Sequence, residues 1–207
     1  MEEVTPAVMP FAYPTKPHRR RHGPTGYTNY QRYRPWLEDE FTYRCIYCLK
    51  RMVWSPTDVW TVDHIISRHE ALELICDYDN LVLACQCCNR IKSSKRVPDP
   101  CRVAYGRCLR VNQDGSITPL NKAGDRLIRD LRLNDPRFQR MREQKMRDLH
   151  ALAMCDRAGF EQAMGFPSEL PDLAALNARL DSPNIRPDGI QQSWLAKKRR
   201  GELPKVY

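Results

Sequence analysis

The chain has 207 residues, 42% of them hydrophobic, which suffices for one compact domain with extensions or for two small ones. Its formal charge of +9, from 34 Lys and Arg against 25 Asp and Glu, points to a polyanionic partner, with nucleic acid the commonest. No run of 18 apolar residues is present, which excludes a membrane-spanning helix. The opening segment MEEVTPAVMPFAYP carries acids where a secretory signal carries bases. The nine cysteines, an odd number, argue against a disulfide framework and for a reducing, cytoplasmic setting in which thiols stay free or hold metal.

In chain order, residues 1–26 are rich in Pro and Tyr and end in the basic run His18-Arg19-Arg20-Arg21-His22, which reads as a flexible basic arm. Residues 28–40 suit a short helix with Pro35 near its start. Val59 to Ile66 is β-branched and aromatic and predicts a strand, as does Asn80-Leu81-Val82-Leu83-Ala84; the segment Asn89 to Lys95 then turns away as a helix. Beyond Pro100, two short apolar runs flank the turn-like Asn112-Gln113-Asp114-Gly115 and predict a hairpin. Helices are expected over 122–132 and over 136–155, the second capped by Asp135 with Pro136 at its first position. On that second helix Phe138, Met141, Leu149 and Leu152 share one face, with Arg140 and Arg147 beside it. One more helix is expected within 168–180. The run Lys197-Lys198-Arg199-Arg200 reads as part of a basic tail. Residues 101–150 alone carry 12 Lys and Arg against 6 Asp and Glu, so the excess of positive charge is concentrated there.

Two pairs of cysteines stand at C-x2-C spacing, Cys45-Ile46-Tyr47-Cys48 and Cys85-Gln86-Cys87-Cys88, with 36 residues between them. A two-residue gap lets one tight turn present both sulfurs to one ion, and two such turns complete the tetrahedral shell that structural Zn2+ prefers. A closed four-sulfur shell leaves no place for a reacting water, so the ion's role is folding. Cys87 competes with Cys88 for the fourth position; Cys88 keeps the spacing and is assigned. Cys76, Cys101, Cys108 and Cys155 have no such partner and are taken as free.

Between and beside these pairs fall Asp63-His64, then Asn80-Leu81, then Asn89 directly after Cys88. The string CIYC, VDHI, DNLVLAC, CCNRIK resembles the HNH endonuclease family over about 55 residues, with each motif in the family's order. The resemblance implies a ββα-metal core stabilised by the four-cysteine zinc site, and with the hairpin and helices read beyond Pro100 as a C-terminal extension the expected fold is α+β. The resemblance also implies metal-dependent hydrolysis of DNA phosphodiester bonds, leaving 5′-phosphate and 3′-hydroxyl ends. Such chemistry needs a deprotonated water and neutralisation of charge growing on phosphate. His64, largely neutral and usefully basic at pH 7, is the candidate base, and Asp63 is a hard oxygen ligand for Mg2+ or Mn2+. Neighbours on a strand point to opposite faces, so both residues can serve one site only where the strand bends or ends. In the family the middle Asn steers the base through its other ring nitrogen, a role that falls to Asn80. The final position, commonly a metal-binding His, is Asn89, a neutral oxygen donor that holds a cation more weakly than a carboxylate does.

Arg90, Lys92, Lys95 and Arg96 follow at near-helical spacing and are read as contacts to the phosphate backbone. The resulting division is a basic arm at 1–26, an HNH nuclease domain at 27–100, a hairpin and basic helical extension at 101–180, and a basic tail at 181–207. Small HNH proteins of this kind occur in phage genomes and antiphage defence, where a regulatory protein partner often controls the nuclease. Two alternatives stay open: a catalytically inactive, zinc-stabilised nucleic-acid-binding module, and the same chemistry directed at RNA.

Overall fold

The computed structural model describes residues 9–55 and 57–207; the first eight residues of the expected arm lie outside the described residues. Helix α1 (Arg34–Glu40) opens with Pro35 in its first turn, where a missing N–H costs nothing, and buries Trp36 and Leu37 completely. Strands β1 (Trp60–His64) and β2 (Leu81–Cys85) pair antiparallel, with Trp60 opposite Cys85 and His64 opposite Leu81. All five residues of β2 are buried, because α1 and the N-terminal segment cover the face that a two-stranded ribbon would otherwise leave wet. Helix α2 (Gln86–Lys92) begins where β2 ends, so strand, strand and helix follow one another as the sequence predicts. It starts three residues earlier than expected, since Gln86 N–H bonds back to the Val59 carbonyl at 3.0 Å and turns the chain at once.

The second half is built on the predicted hairpin, β3 (Leu109–Val111) with β4 (Ile117–Pro119), followed by α3 (Lys122–Leu131) and α4 (Pro136–Cys155). Asn121 caps α3 and Asp135 caps α4, each accepting from a first-turn N–H. Leu127, Leu131 and Leu133 join the main core, whereas Leu149 heads a small separate cluster with Phe160 and Met164. The sequence reading placed an arginine pair beside the apolar stripe of α4 and overlooked Arg142. That side chain is 1% exposed and donates to the Gly115 carbonyl at 2.6 Å and the Leu133 carbonyl at 2.7 Å, tying the hairpin turn to the α3–α4 corner. Three further short helices, α5 (Arg157–Met164), α6 (Leu173–Asn177) and α7 (Trp194–Arg199), complete the chain. Among the described residues no helix is long and apolar enough to cross a membrane.

The reading of the basic run as a flexible arm is corrected by what it touches. Phe11 and Tyr13 are in the main core, and the run His18–His22 wraps the C-terminal end of α1. Glu40 accepts from the His18 ring at 2.7 Å, the backbone N–H groups of Arg21 and His22 at 2.9 Å, and the Tyr78 hydroxyl at 3.2 Å. Asp39 pairs with Arg21 at 2.9 Å and with the fully buried His22 at 2.8 Å. Its second oxygen takes the backbone N–H of Trp194 at 2.7 Å, which brings the expected basic tail onto the same helix end. Arg186, also from that segment, forks onto Asp79. Two buried carboxylates thus anchor the basic segments at both ends of the described chain, because buried carboxylates require donors and the arginines and histidines supply them.

Burial alone raises the Glu40 carboxyl, but the His18 hydrogen bond and the surrounding donors outweigh it and lower the pKa to about 2. Glu40 therefore contributes stability that is complete above its ordinary value near 4.5 and is lost as pH falls from there toward 2, on the order of 3 kcal/mol. Glu40→Gln should lower stability at pH 7 by about 3 kcal/mol in chemical denaturation. It should also flatten the fall in melting temperature between pH 4.5 and 2; an unchanged acid limb would assign the stability elsewhere.

Candidate active site and metal centre

Four sulfurs meet at the junction of β2 and α2. The Cys45–Cys48 turn is closed by Leu49 N–H to the Cys45 carbonyl at 2.9 Å, and Ile46 N–H docks it on the Leu83 carbonyl of β2 at 3.0 Å. Leu49 takes φ +60, a left-handed conformation costly for a non-glycine residue, and its near-complete burial holds it there. Cys85 ends β2 and Cys88 lies in the first turn of α2. The ligand atoms of Cys45, Cys48, Cys85 and Cys88 all lie within 4.8 Å of one another, and all four residues are buried. The Cys48 and Cys85 sulfurs are 3.8 Å apart. A tetrahedron with Zn–S bonds of about 2.3 Å has edges of roughly 3.8 Å, so the cluster fits a structural zinc ion. Cys87, the competitor, is exposed on the outer side of α2 and does not belong to the cluster.

Beside this frame lies a cleft of about 280 Å3 whose lining includes Asp63, His64 and Asn89. Asp63 and His64 reach one cleft although they are strand neighbours, because β1 ends at His64 and the Asp63 carboxylate folds back on its neighbour's N–H at 2.8 Å. The His64 ring sets Nε2 3.0 Å from the Ile75 carbonyl. A carbonyl only accepts, so Nε2 holds the proton and Nδ1 is the basic nitrogen of the neutral ring. Burial lowers the His64 pKa below its ordinary value and outweighs the Ile75 bond and the Asp63 charge, which raise it. Asn89 donates from Nδ2 to the Thr61 hydroxyl at 3.0 Å, and its side-chain oxygen accepts no hydrogen bond among the described residues.

Asp63 is more heavily engaged than its sequence position suggests. One oxygen takes the His64 N–H and the Lys92 ammonium at 3.3 Å; the other takes the Tyr47 hydroxyl at 2.6 Å. A carboxylate offers about four lone-pair sites, so roughly one remains for a cation. Burial raises the Asp63 pKa, with Lys92 the largest opposing influence. As donors, a carboxylate and an amide oxygen on one cleft suit a hard divalent ion such as Mg2+ or Mn2+.

Two expected roles change with the geometry. Asn80 makes no hydrogen bond to the imidazole among the described residues. Its side chain accepts from Ile66 N–H at 2.8 Å and donates to the Ile66 and Leu74 carbonyls at 3.0 and 3.2 Å, clamping the 65–75 loop that delivers the Ile75 carbonyl to His64. Asn80 is therefore linked to the ring only through that loop. Lys92, expected on a phosphate, is fully buried and bonds the His64 carbonyl at 2.6 Å as well as Asp63. Its place three residues after Asn89 and four after buried Cys88 puts it on the inward face of α2, a helical-period signal that a count of basic residues hides.

The remaining candidates separate. Arg96 pairs with Glu70 at 2.8 Å, and Lys95 donates to the Ile91 and Asp130 carbonyls. Arg90 is exposed and, with Lys95, Arg132 and Arg137, lines a groove of about 420 Å3 between α2 and the α3–α4 corner. Tyr30, Tyr47, Thr61, Ser67 and Arg68 were not singled out from sequence; each is ordinary in its local context and becomes notable only through contacts across the fold.

Among comparisons with known proteins, the model of the HNH endonuclease family matches residues 45–95. That interval holds all four cluster cysteines, Asp63, His64, Asn80 and Asn89. No curated protein matches the chain.

If Cys88 and not Cys87 completes the shell, Cys87→Ser should retain one zinc per chain, whereas Cys88→Ser should lose it and melt more than 10 °C lower, a loss of at least about 3 kcal/mol for a chain of this size. Zinc content by atomic absorption and melting by calorimetry check both; equal loss in the two variants would move the fourth ligand.

Proposed function

Since residues 45–95 are an HNH endonuclease domain with a four-cysteine brace, we propose that the chain is a metal-dependent nuclease that hydrolyses phosphodiester bonds in DNA. The observation that carries this reading is the convergence of His64, Asp63 and Asn89 on one cleft, with the imidazole held in the tautomer whose Nδ1 accepts a proton. In this role Nδ1 takes the proton of an attacking water, and the Ile75 carbonyl stabilises the imidazolium that results. Asp63 and Asn89 would hold one Mg2+ or Mn2+, which when bound neutralises charge on the phosphate and supports the departing oxygen. Asn80 keeps the 65–75 loop in register and so keeps the ring aimed. Lys92 and Tyr47 hold the Asp63 carboxylate in one orientation.

Duplex backbone is the substrate that the charge distribution favours. The groove lined by Arg90, Lys95, Arg132 and Arg137 lies on the outer side of the helix that carries Asn89, and none of the described residues lining it is acidic. Contacts of that kind attract phosphate without reading sequence. One observation favours a second reading, a binding module that does not cut: the Lys92 ammonium already shares the Asp63 carboxylate.

Plasmid nicking by the zinc-loaded chain, with and without Mg2+ or Mn2+, separates the two. The nuclease reading expects divalent-dependent nicking that His64→Ala reduces by about 10^3-fold, with single-stranded RNA cut more slowly. DNA binding with no cleavage under either ion would establish the module, and faster cleavage of RNA would reassign the substrate. Binding itself should weaken across all sequences in an Arg90→Ala, Arg132→Ala double variant, and the slope of log K against log salt should shrink by about 2. An unchanged slope would take the groove off the DNA path.

A further inference from the structure

The catalytic cleft has a wall that the family match does not explain. Asp63 is the acid that lines it, and Lys92, the nearest ammonium, is spent inside the core. The permanent cation on the lining is Arg68, which is exposed and forms no ion pair among the described residues. Its guanidinium lies over the Tyr30 ring, 5.5 Å from the centroid, with a long contact of 3.4 Å to the Tyr30 hydroxyl. The same ring meets the His64 imidazole edge-on at 4.8 Å. One Tyr30 ring is therefore in contact with both the candidate base and a guanidinium. It comes from the tight helical turn Tyr30–Tyr33 that precedes α1, outside the matched interval 45–95.

Ser67 supplies a second, independent sign. It lines the cleft, is 8% exposed, and its buried hydroxyl has no hydrogen-bond partner among the described residues. The turn that carries it is fixed, since its carbonyl takes the N–H groups of Glu70 and Ala71 at 2.9 and 3.2 Å. Buried hydroxyls are nearly always paired, so one left unpaired on a cleft wall beside a free guanidinium calls for an acceptor from outside the chain. An anionic oxygen is the acceptor that both groups share.

We propose that Ser67 and Arg68 form the anion subsite for the phosphodiester to be cut, and that Tyr30 is a positioning residue holding both the guanidinium and the imidazole. The proposal rests on the nuclease reading above. The guanidinium offers planar paired donors to two phosphate oxygens, and the serine rotor offers a third. A preorganised cation gains most where charge grows, so Arg68 acts chiefly on the transition state, and its removal lowers kcat more than it raises KM.

Steady-state nicking by the zinc-loaded full chain in Mg2+ tests it, with melting temperatures recorded for every variant. Arg68→Gln should lower kcat/KM by about 10^2-fold or more, mostly in kcat. Arg68→Lys should recover only part of that, and guanidinium ion added to Arg68→Ala should restore activity in a concentration-dependent way, which a folding defect would not do. Ser67→Ala should cost roughly 10-fold. Tyr30→Ala should lower kcat with little change in KM, and Tyr30→Phe should recover most of the loss. If Arg68→Gln and Ser67→Ala nick at the wild-type rate while His64→Ala is dead, the subsite is wrong and the nuclease reading stands. If the wild-type chain cuts nothing, both fall together.

Discussion

Everything in the cleft depends on four sulfurs being held together. A two-stranded ribbon and a seven-residue helix bury too little surface to hold a fixed geometry alone. Structural zinc in small domains contributes apparent free energies of about 10–16 kcal/mol, comparable with or larger than the whole net stability of a typical domain, about 5–15 kcal/mol. On those magnitudes a zinc ion bound there would match a large share of the net stability of the domain. Held by the four sulfurs, it would fix the end of β2 against the Cys45–Cys48 turn and the direction of α2, the helix that carries Asn89 to Thr61 of β1 and Lys92 to the Asp63 carboxylate.

The other buried charges extend that frame outward. Asp39 and Glu40 lie at the C-terminal end of α1, where the helix dipole offers a carboxylate no help, and they are held by Arg21, His18, His22 and the Trp194 N–H. The N-terminal segment is thereby strapped to the core, and with it Tyr30, whose ring reaches the catalytic histidine candidate. Packing, charge and site are linked through a short stretch of chain: the strap orders the turn before α1, and that turn supplies one wall of the cleft.

How much of this was legible in the sequence follows from the range of each interaction. The cysteine pairs announced themselves because a metal knuckle is local, and the geometry then favours Cys88 over Cys87 by burial. Strands β1 to β4 and helices α3 and α4 were readable from β-branched runs, turn residues and caps, all of them local signals. The basic run His18–His22 was misread because its partners, Asp39 and Glu40, are 17 to 22 residues away and composition cannot pair them. Lys92 was misread for a related reason: a lysine reports its charge in a sequence, but only a fold shows a carboxylate waiting in the core. The Asn80 side chain bonds a loop where a contact with the imidazole was expected, and nothing in the local sequence specifies the path of that loop. Tyr30, Ser67 and Arg68 carry no spacing signal at all.

The claim that the sulfur cluster organises the cleft is tested most directly by hydrogen exchange on the full chain as zinc is withdrawn by a chelator at neutral pH. The account requires the amides of residues 45–51, the end of β2 and all of α2 to lose protection together, while α3 and the centre of α4 keep theirs. Should α2 and the Cys85 end of β2 stay protected after the metal has left, the cluster is not what holds the cleft, and packing alone must be.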